Sequence, residues 1–134
     1  MTKIWDRLFL GNLKDAQQLA LANPCGITAV VSLCEDAVRR AANINYVRLP
    51  VADSRPIPYE EFAAIMQAIE QGVRHGNLLV HCVGGSSRSP IMIAAWMHLC
   101  GYAGIDKALA AIAELRDIDP SPVLLQSIKE ALTR

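Results

Sequence analysis

The chain has 134 residues, enough for one domain (1–134) that buries a sizeable core without disulfides or structural metal. Hydrophobic residues make up 52% and charged residues 19%, and thirteen basic residues balance thirteen acidic ones, so nothing in the net charge points to nucleic acid or an anionic membrane surface as partner. A charged N-terminus without an apolar core argues against a secretory signal, Ile91 to Cys100 is about half of what crosses a bilayer, and Cys25, Cys34, Cys82 and Cys100 lack zinc or disulfide spacing, which together predict a soluble cytoplasmic protein with reduced thiols.

Ile4-Trp5 and Leu8-Phe9-Leu10, split by Asp6-Arg7, read as two short strands joined by a tight turn. Leu13, Ala16, Leu19 and Ala20 recur at helical spacing up to Asn23-Pro24. Gly26 then breaks the chain before the β-branched run Ile27 to Leu33, typical of a buried parallel strand. Glu35 to Asn43 is a loop or short helix, and Tyr46 to Leu49 alternates like a strand. The prolines between Val51 and Pro58 predict an ordered surface loop carrying Asp53. Phe62, Ile65, Met66, Ile69 and Val73 mark one face of an amphipathic helix, and Leu78 to Val80 is a short buried strand. Buried helix Pro90 to Cys100, a helix from Ile105 to Arg116, and a last helix capped by Ser121 with Pro122 at its first position complete the chain. Strands alternating with helices predict an α/β domain with a central, mostly parallel sheet, its ligand site beyond the carboxyl ends of the strands.

That is where His81-Cys82-Val83-Gly84-Gly85-Ser86-Ser87-Arg88-Ser89 lies, between strand and helix. Five residues separate Cys82 from Arg88, and Val83, Gly84, Gly85, Ser86 and Ser87 are small enough to turn backbone N–H groups onto one oxyanion, aided by the following helix dipole. Such a loop suits a phosphate-like group. Cysteine attacks as thiolate, a form favoured beside fixed positive charge and a helix N-terminus. Arg88 is suited to grip two phosphate oxygens at once. Ser89 is placed to donate a hydrogen bond to the thiolate, Ser87 to brace the loop, and His81 to orient it. A general acid must come from elsewhere, and Asp53 at the end of a strand is the best candidate, with Glu35 and Asp36 weaker ones.

His81-Cys82, five residues, then Arg88-Ser89, with Asp53 lying 29 residues before the cysteine, resembles the cysteine-dependent protein tyrosine phosphatase superfamily, and most closely its small dual-specificity branch. Leu8 to Asn12, Gly26 to Leu33, and Asp119-Pro120-Ser121 resemble that branch's opening strand, its next strand and its turn into the last helix. The resemblance implies a single catalytic domain. In it Cys82 is the nucleophile, Arg88 the phosphate binder, Asp53 the acid and then the base, and Ser89 the hydroxyl that assists the leaving thiolate. It implies no metal or organic cofactor, and a phosphorylated protein as partner. Some relatives carry a cysteine at the position of Cys34 that forms a reversible disulfide with the nucleophile, which makes Cys34 a candidate redox partner. Two residues depart from the pattern: Ser121 stands where Asn is usual, and Gly84 where Ala is usual.

The loop has no lysine between Cys82 and Arg88, where relatives that act on phosphoinositides usually carry basic residues; this weakens the phosphoinositide reading without removing it, and RNA 5′-phosphates and nucleotides stay open alongside it. A rhodanese-type sulfurtransferase would have a shorter loop and no use for Asp53, and a pure phosphate-binding module would need neither nucleophile nor acid. The rim of the pocket is expected from Asp53 to Pro58, Glu35 to Arg40, and Arg74-His75. Cys25 and Cys100 read as structural thiols, His98 as packed and His75 as a surface residue.

Overall fold

The computed structural model describes all residues, Met1 to Arg134. Strands β1 (Thr2–Trp5), β2 (Leu8–Gly11), β3 (Ile27–Ser32), β4 (Asn45–Arg48) and β5 (Asn77–His81) form one sheet in the order β1-β2-β5-β3-β4. β1 is antiparallel to β2, and β2, β5, β3 and β4 run parallel. Helices α1 (Leu13–Gln18), α2 (Tyr59–His75), α3 (Arg88–Leu99), α4 (Ile105–Ala113) and α5 (Pro122–Ala131) cover it. The expected α/β class with a mostly parallel sheet is the one found.

Side chains that alternate along the strands divide the core in two. Leu8, Leu10, Val31, Leu33, Leu78 and Val80 face the larger cluster, with α2, α3, α4 and α5. Phe9, Val30 and Leu79, one residue out of phase, face a smaller cluster with Ala16 and Leu19 of α1 and Ile44. β5 is buried on both faces, which is why its sequence is a continuous apolar run. Helix α3 is enclosed as well: Ile91, Met92, Ile93, Ala94 and Ala95 have no exposed surface. Burial of each large apolar side chain of this kind stabilises the fold by about 1.5–3 kcal/mol.

Three boundaries differ from those the periodicity predicts. α1 stops at Gln18, because Asn23 takes over the chain: its side chain accepts from Ile27 N (2.8 Å) and donates to Ile27 O (2.9 Å), and Pro24 disfavours helix before it. α3 begins at Arg88, two residues before Pro90, whose missing N–H is not needed in a first helical turn. α4 ends at Ala113, and Arg116 lies beyond it in a turn. Arg74 and His75 are at the far end of α2, which spans about 25 Å, so they lie at the opposite end of the molecule from the loop that follows β5 and form no part of the pocket rim. Cys100 is exposed and Cys25 half-buried, so Cys100 is not a packing thiol. His98 is half-buried, with Nδ1 donating to Ala103 O at 3.0 Å.

Candidate active site

β5 delivers His81 and Cys82 to the carboxyl edge of the sheet, and the chain loops through Ser87 into α3. Cys82 is 2% exposed at the bottom of this loop, and Ser89 Oγ, in the first turn of α3, donates to its Sγ at 2.8 Å. The loop's outward carbonyls are held from three directions. Val83 O accepts from Leu13 N (2.9 Å), Gly85 O from Arg116 Nε (3.1 Å) and Ser86 O from Asp119 N (2.7 Å). The amides of Val83, Gly84, Gly85, Ser86, Ser87 and Arg88 have no acceptor in the protein. With carbonyls fixed outward, the peptide planes turn those donors inward around Cys82, which makes an anion-binding concavity at the positive end of α3. Gly85 is required at its place: its φ is +69°, and a Cβ there would sit 2.7 Å from Gly11 O. Gly84 has no such constraint, since a Cβ there would meet only Ser86 Oγ at 3.5 Å.

Arg88 reaches from the start of α3 to Val51, donating from Nη1 to its carbonyl at 3.1 Å, which leaves Nε and Nη2 without protein partners. Those two donors lie side by side, the arrangement that grips two oxygens of one anion. Asp53 meets the loop through Ser87, whose Oγ donates to Asp53 Oδ1 at 2.6 Å and accepts from Ser121 N at 2.8 Å. Ser87 therefore braces both the Asp53 loop and the turn before α5, and it gives no cap hydrogen bond to α3. Because the brace at Ser121 comes from a backbone amide, a serine there serves where asparagine is usual, and its hydroxyl caps α5 at Leu124 N (3.4 Å).

His81 is fully buried. Its Nδ1 donates to Cys82 O (3.1 Å), so Nε2 is the acceptor for Ser32 Oγ at 2.6 Å. Burial pushes the imidazole below its ordinary range, only partly offset by the Cys82 carbonyl, so the ring is neutral at pH 7. Cys34 is buried just past β3. Parallel pairing of Ser32 with His81 carries it to the same sheet edge as Cys82, and burial pushes its thiol up. Glu35 and Asp36, the weaker acid candidates, line a groove beside Arg88 that also includes Val51, Arg55 and Glu61.

Sequence reasoning did not find Ser32 or Arg116. Ser32 carries the hydroxyl at the carboxyl end of β3, directly after the apolar run Ala29-Val30-Val31. Arg116 had no local signal, because its bond spans 31 residues.

A cysteine held at the base of a ring of free amides, with an arginine fork and a carboxylate at the mouth, defines a phosphatase-type anion loop on an α/β domain. The family model described as the dual specificity phosphatase catalytic domain matches residues 8–133, and the chain belongs to that family. It is 32% identical over 133 residues to dual specificity protein phosphatase 15 of Rattus norvegicus, covering 97% of this chain and 56% of that protein. It is 28% identical over 133 residues to dual specificity protein phosphatase 22-A of Danio rerio, covering 97% of this chain and 64% of that protein. The crystal structure of DUSP15 matches with a TM-score of 0.87 at 32% identity, over 98% of this chain and 86% of that one. The crystal structure of human DUSP28, at 24% identity, shares the fold with a TM-score of 0.84 over 99% of this chain and 96% of that one. The chain thus spans a little over half the length of the curated relatives it matches. No helix is long and apolar enough to cross a membrane.

Proposed function

We propose that the chain hydrolyses phosphomonoesters on protein side chains through a phosphocysteine intermediate. The observation that carries this reading is the 2.8 Å bond from Ser89 Oγ to Cys82 Sγ inside a loop whose amides are all unpaired. In the first step Cys82 Sγ attacks phosphorus in line, an S–P bond forms, and the P–O ester bond breaks. The loop amides and Arg88 Nε and Nη2 share the charge on the equatorial oxygens. Asp53 gives its proton to the leaving oxygen. With Oδ1 already accepting from Ser87, the proton belongs on Oδ2, which has no other partner. In the second step Asp53 takes a proton from water, the water oxygen attacks phosphorus, and the S–P bond breaks. Ser89 then stabilises the departing thiolate. His81 holds the loop and carries no proton in the reaction.

Phosphorylated protein is the proposed substrate class because the relatives are named dual specificity protein phosphatases. Phosphotyrosine together with phosphoserine and phosphothreonine are the proposed side chains, as membership of the dual specificity family implies. A cytoplasmic setting fits a chain whose cysteines are all unpaired. The decisive test is turnover of p-nitrophenyl phosphate without added metal by wild type and by Cys82→Ser. Loss of turnover in the variant is expected, and equal rates would remove the assignment.

A further inference from the structure

Two grooves flank the mouth of the loop, and their charges are opposite. On the Asp53 side, a groove of about 560 Å³ is edged by Glu35, Asp36 and Glu61, with Arg55 as its one cation besides Arg88. On the other side, a groove of about 700 Å³ runs from Val83 over α1; it holds Lys14 and Arg39 and no acidic side chain. This second groove is part of the same rigid unit as the loop. Leu13 N is bound to Val83 O at 2.9 Å. Gln17 pins the segment that carries Arg39, its Nε2 donating to Ala37 O and its Oε1 accepting from Arg39 N, both at 2.7 Å. Lys14 and Arg39 are exposed, and neither belongs to an ion pair. Val83 and Leu21, 46% and 76% exposed, line the same groove and offer apolar contact.

Resting on the phosphoprotein reading above, we propose that the Lys14–Arg39 groove receives the polypeptide on one side of the phosphorylated residue and selects acidic side chains there. An extended chain advances about 3.3–3.6 Å per residue, so positions one to three from the phosphoresidue lie within about 10 Å of the loop mouth, over the groove that Lys14 and Arg39 share with Val83 of the loop. The carboxylates across the mouth repel acidic residues on the other flank. The selectivity is therefore one-sided: acidic residues N-terminal and acidic residues C-terminal to the phosphoresidue are not equivalent. Both cations are solvated, so two such pairs are worth roughly three- to tenfold in kcat/KM, weakening as salt rises.

The test compares three phosphotyrosine peptides of equal length: one neutral, one with acidic residues only before the phosphoresidue, and one with them only after. Turnover of the neutral peptide reports the underlying phosphatase reading, and the ratio of each acidic peptide to the neutral one reports the groove. One acidic peptide is expected to exceed the neutral one roughly three- to tenfold, through KM. In the Lys14→Glu/Arg39→Glu double variant that ratio is expected to fall to one or below. A poorly folded variant lowers both rates and leaves the ratio unchanged, so Lys14→Gln/Arg39→Gln, read the same way, checks the result by removing charge without reversing it. Equal wild-type rates for the three peptides, or ratios untouched by both variants, would overturn the proposal. So would a change in turnover of a soluble short-chain phosphoinositide unaccompanied by a change in the peptide ratio, since the groove would then serve a headgroup.

Discussion

Ser87 Oγ stands between Asp53 Oδ1 and Ser121 N, at 2.6 and 2.8 Å, so one hydroxyl joins three segments of chain that are 34 residues apart on either side. Ser87→Ala removes both bonds and leaves the loop backbone in place. The acid-competent Asp53 is protonated, so the bond joins neutral groups and is worth about 0.5–1.5 kcal/mol, and kcat is expected to fall about two- to tenfold while inorganic phosphate still binds. Steady-state kinetics with phosphate as competitive inhibitor measures both. An unchanged kcat would show that Asp53 needs no positioning.

Replacing Asp53 by Asn keeps the acceptor for Ser87 and removes the acid. General acid catalysis contributes about 10²–10⁴-fold, and it matters most when the leaving oxygen is basic. Phosphoserine peptide turnover is therefore expected to fall far more than turnover of p-nitrophenyl phosphate, whose leaving group departs readily. Equal losses on the two substrates would move the acid elsewhere, with Asp36 the next residue to replace.

The two glycines of the loop are expected to respond in opposite directions. Gly84→Ala finds space and an ordinary backbone conformation, and it should stabilise by about 0.4–1 kcal/mol by restricting the unfolded chain. Gly85→Ala forces a side chain into a positive-φ site against Gly11 O and Arg116, and it should destabilise the fold and abolish phosphate binding. Thermal unfolding with and without phosphate separates the two. A stabilised, phosphate-binding Gly85→Ala would contradict the geometry.

His81 makes stability depend on pH. Its folded pKa lies below the ordinary value of 6.5, so at acidic pH the unfolded chain binds a proton that the folded chain refuses. Stability is full above pH 6.5 and declines as pH falls below it. His81→Gln keeps hydrogen-bonding capacity without the titration and should flatten this limb in urea titrations between pH 5 and 7. Retention of the full slope would assign it to other groups.

We propose that Cys34 traps an oxidised nucleophile. Peroxide converts the Cys82 thiolate to sulfenic acid with release of hydroxide, and the Cys34 thiol then displaces water to form the disulfide. Non-reducing peptide mapping after peroxide should find the Cys34–Cys82 bridge, and activity should return with a dithiol reductant. Cys34→Ser should instead accumulate sulfinic acid on Cys82. Sulfinic acid alone in the wild type would make Cys34 a packing residue.

The sheet, the five helices and the anion loop were legible because each rests on local information: apolar period in β5 and α2, glycines at 84 and 85, a proline at the start of α5. What was not legible comes from contacts distant in the chain. Nothing near Arg116 announces that it holds Gly85, and nothing near Val51 announces that its carbonyl holds Arg88. The unused place of Arg74 and His75 follows from the length of α2, which the periodicity gave but whose direction only the packing decides. Ser121 could be read as a helix cap from its neighbours, whereas its amide bond to Ser87 required the fold.

The three carbonyl holds on the loop come from Leu13, Arg116 and Asp119, near the two ends of the chain. The loop is therefore held in full only when the start of α1 and the segment between α4 and α5 have both docked against it. An anion that binds the native loop and not the unfolded chain stabilises the native state, so phosphate is expected to raise the melting temperature with its concentration.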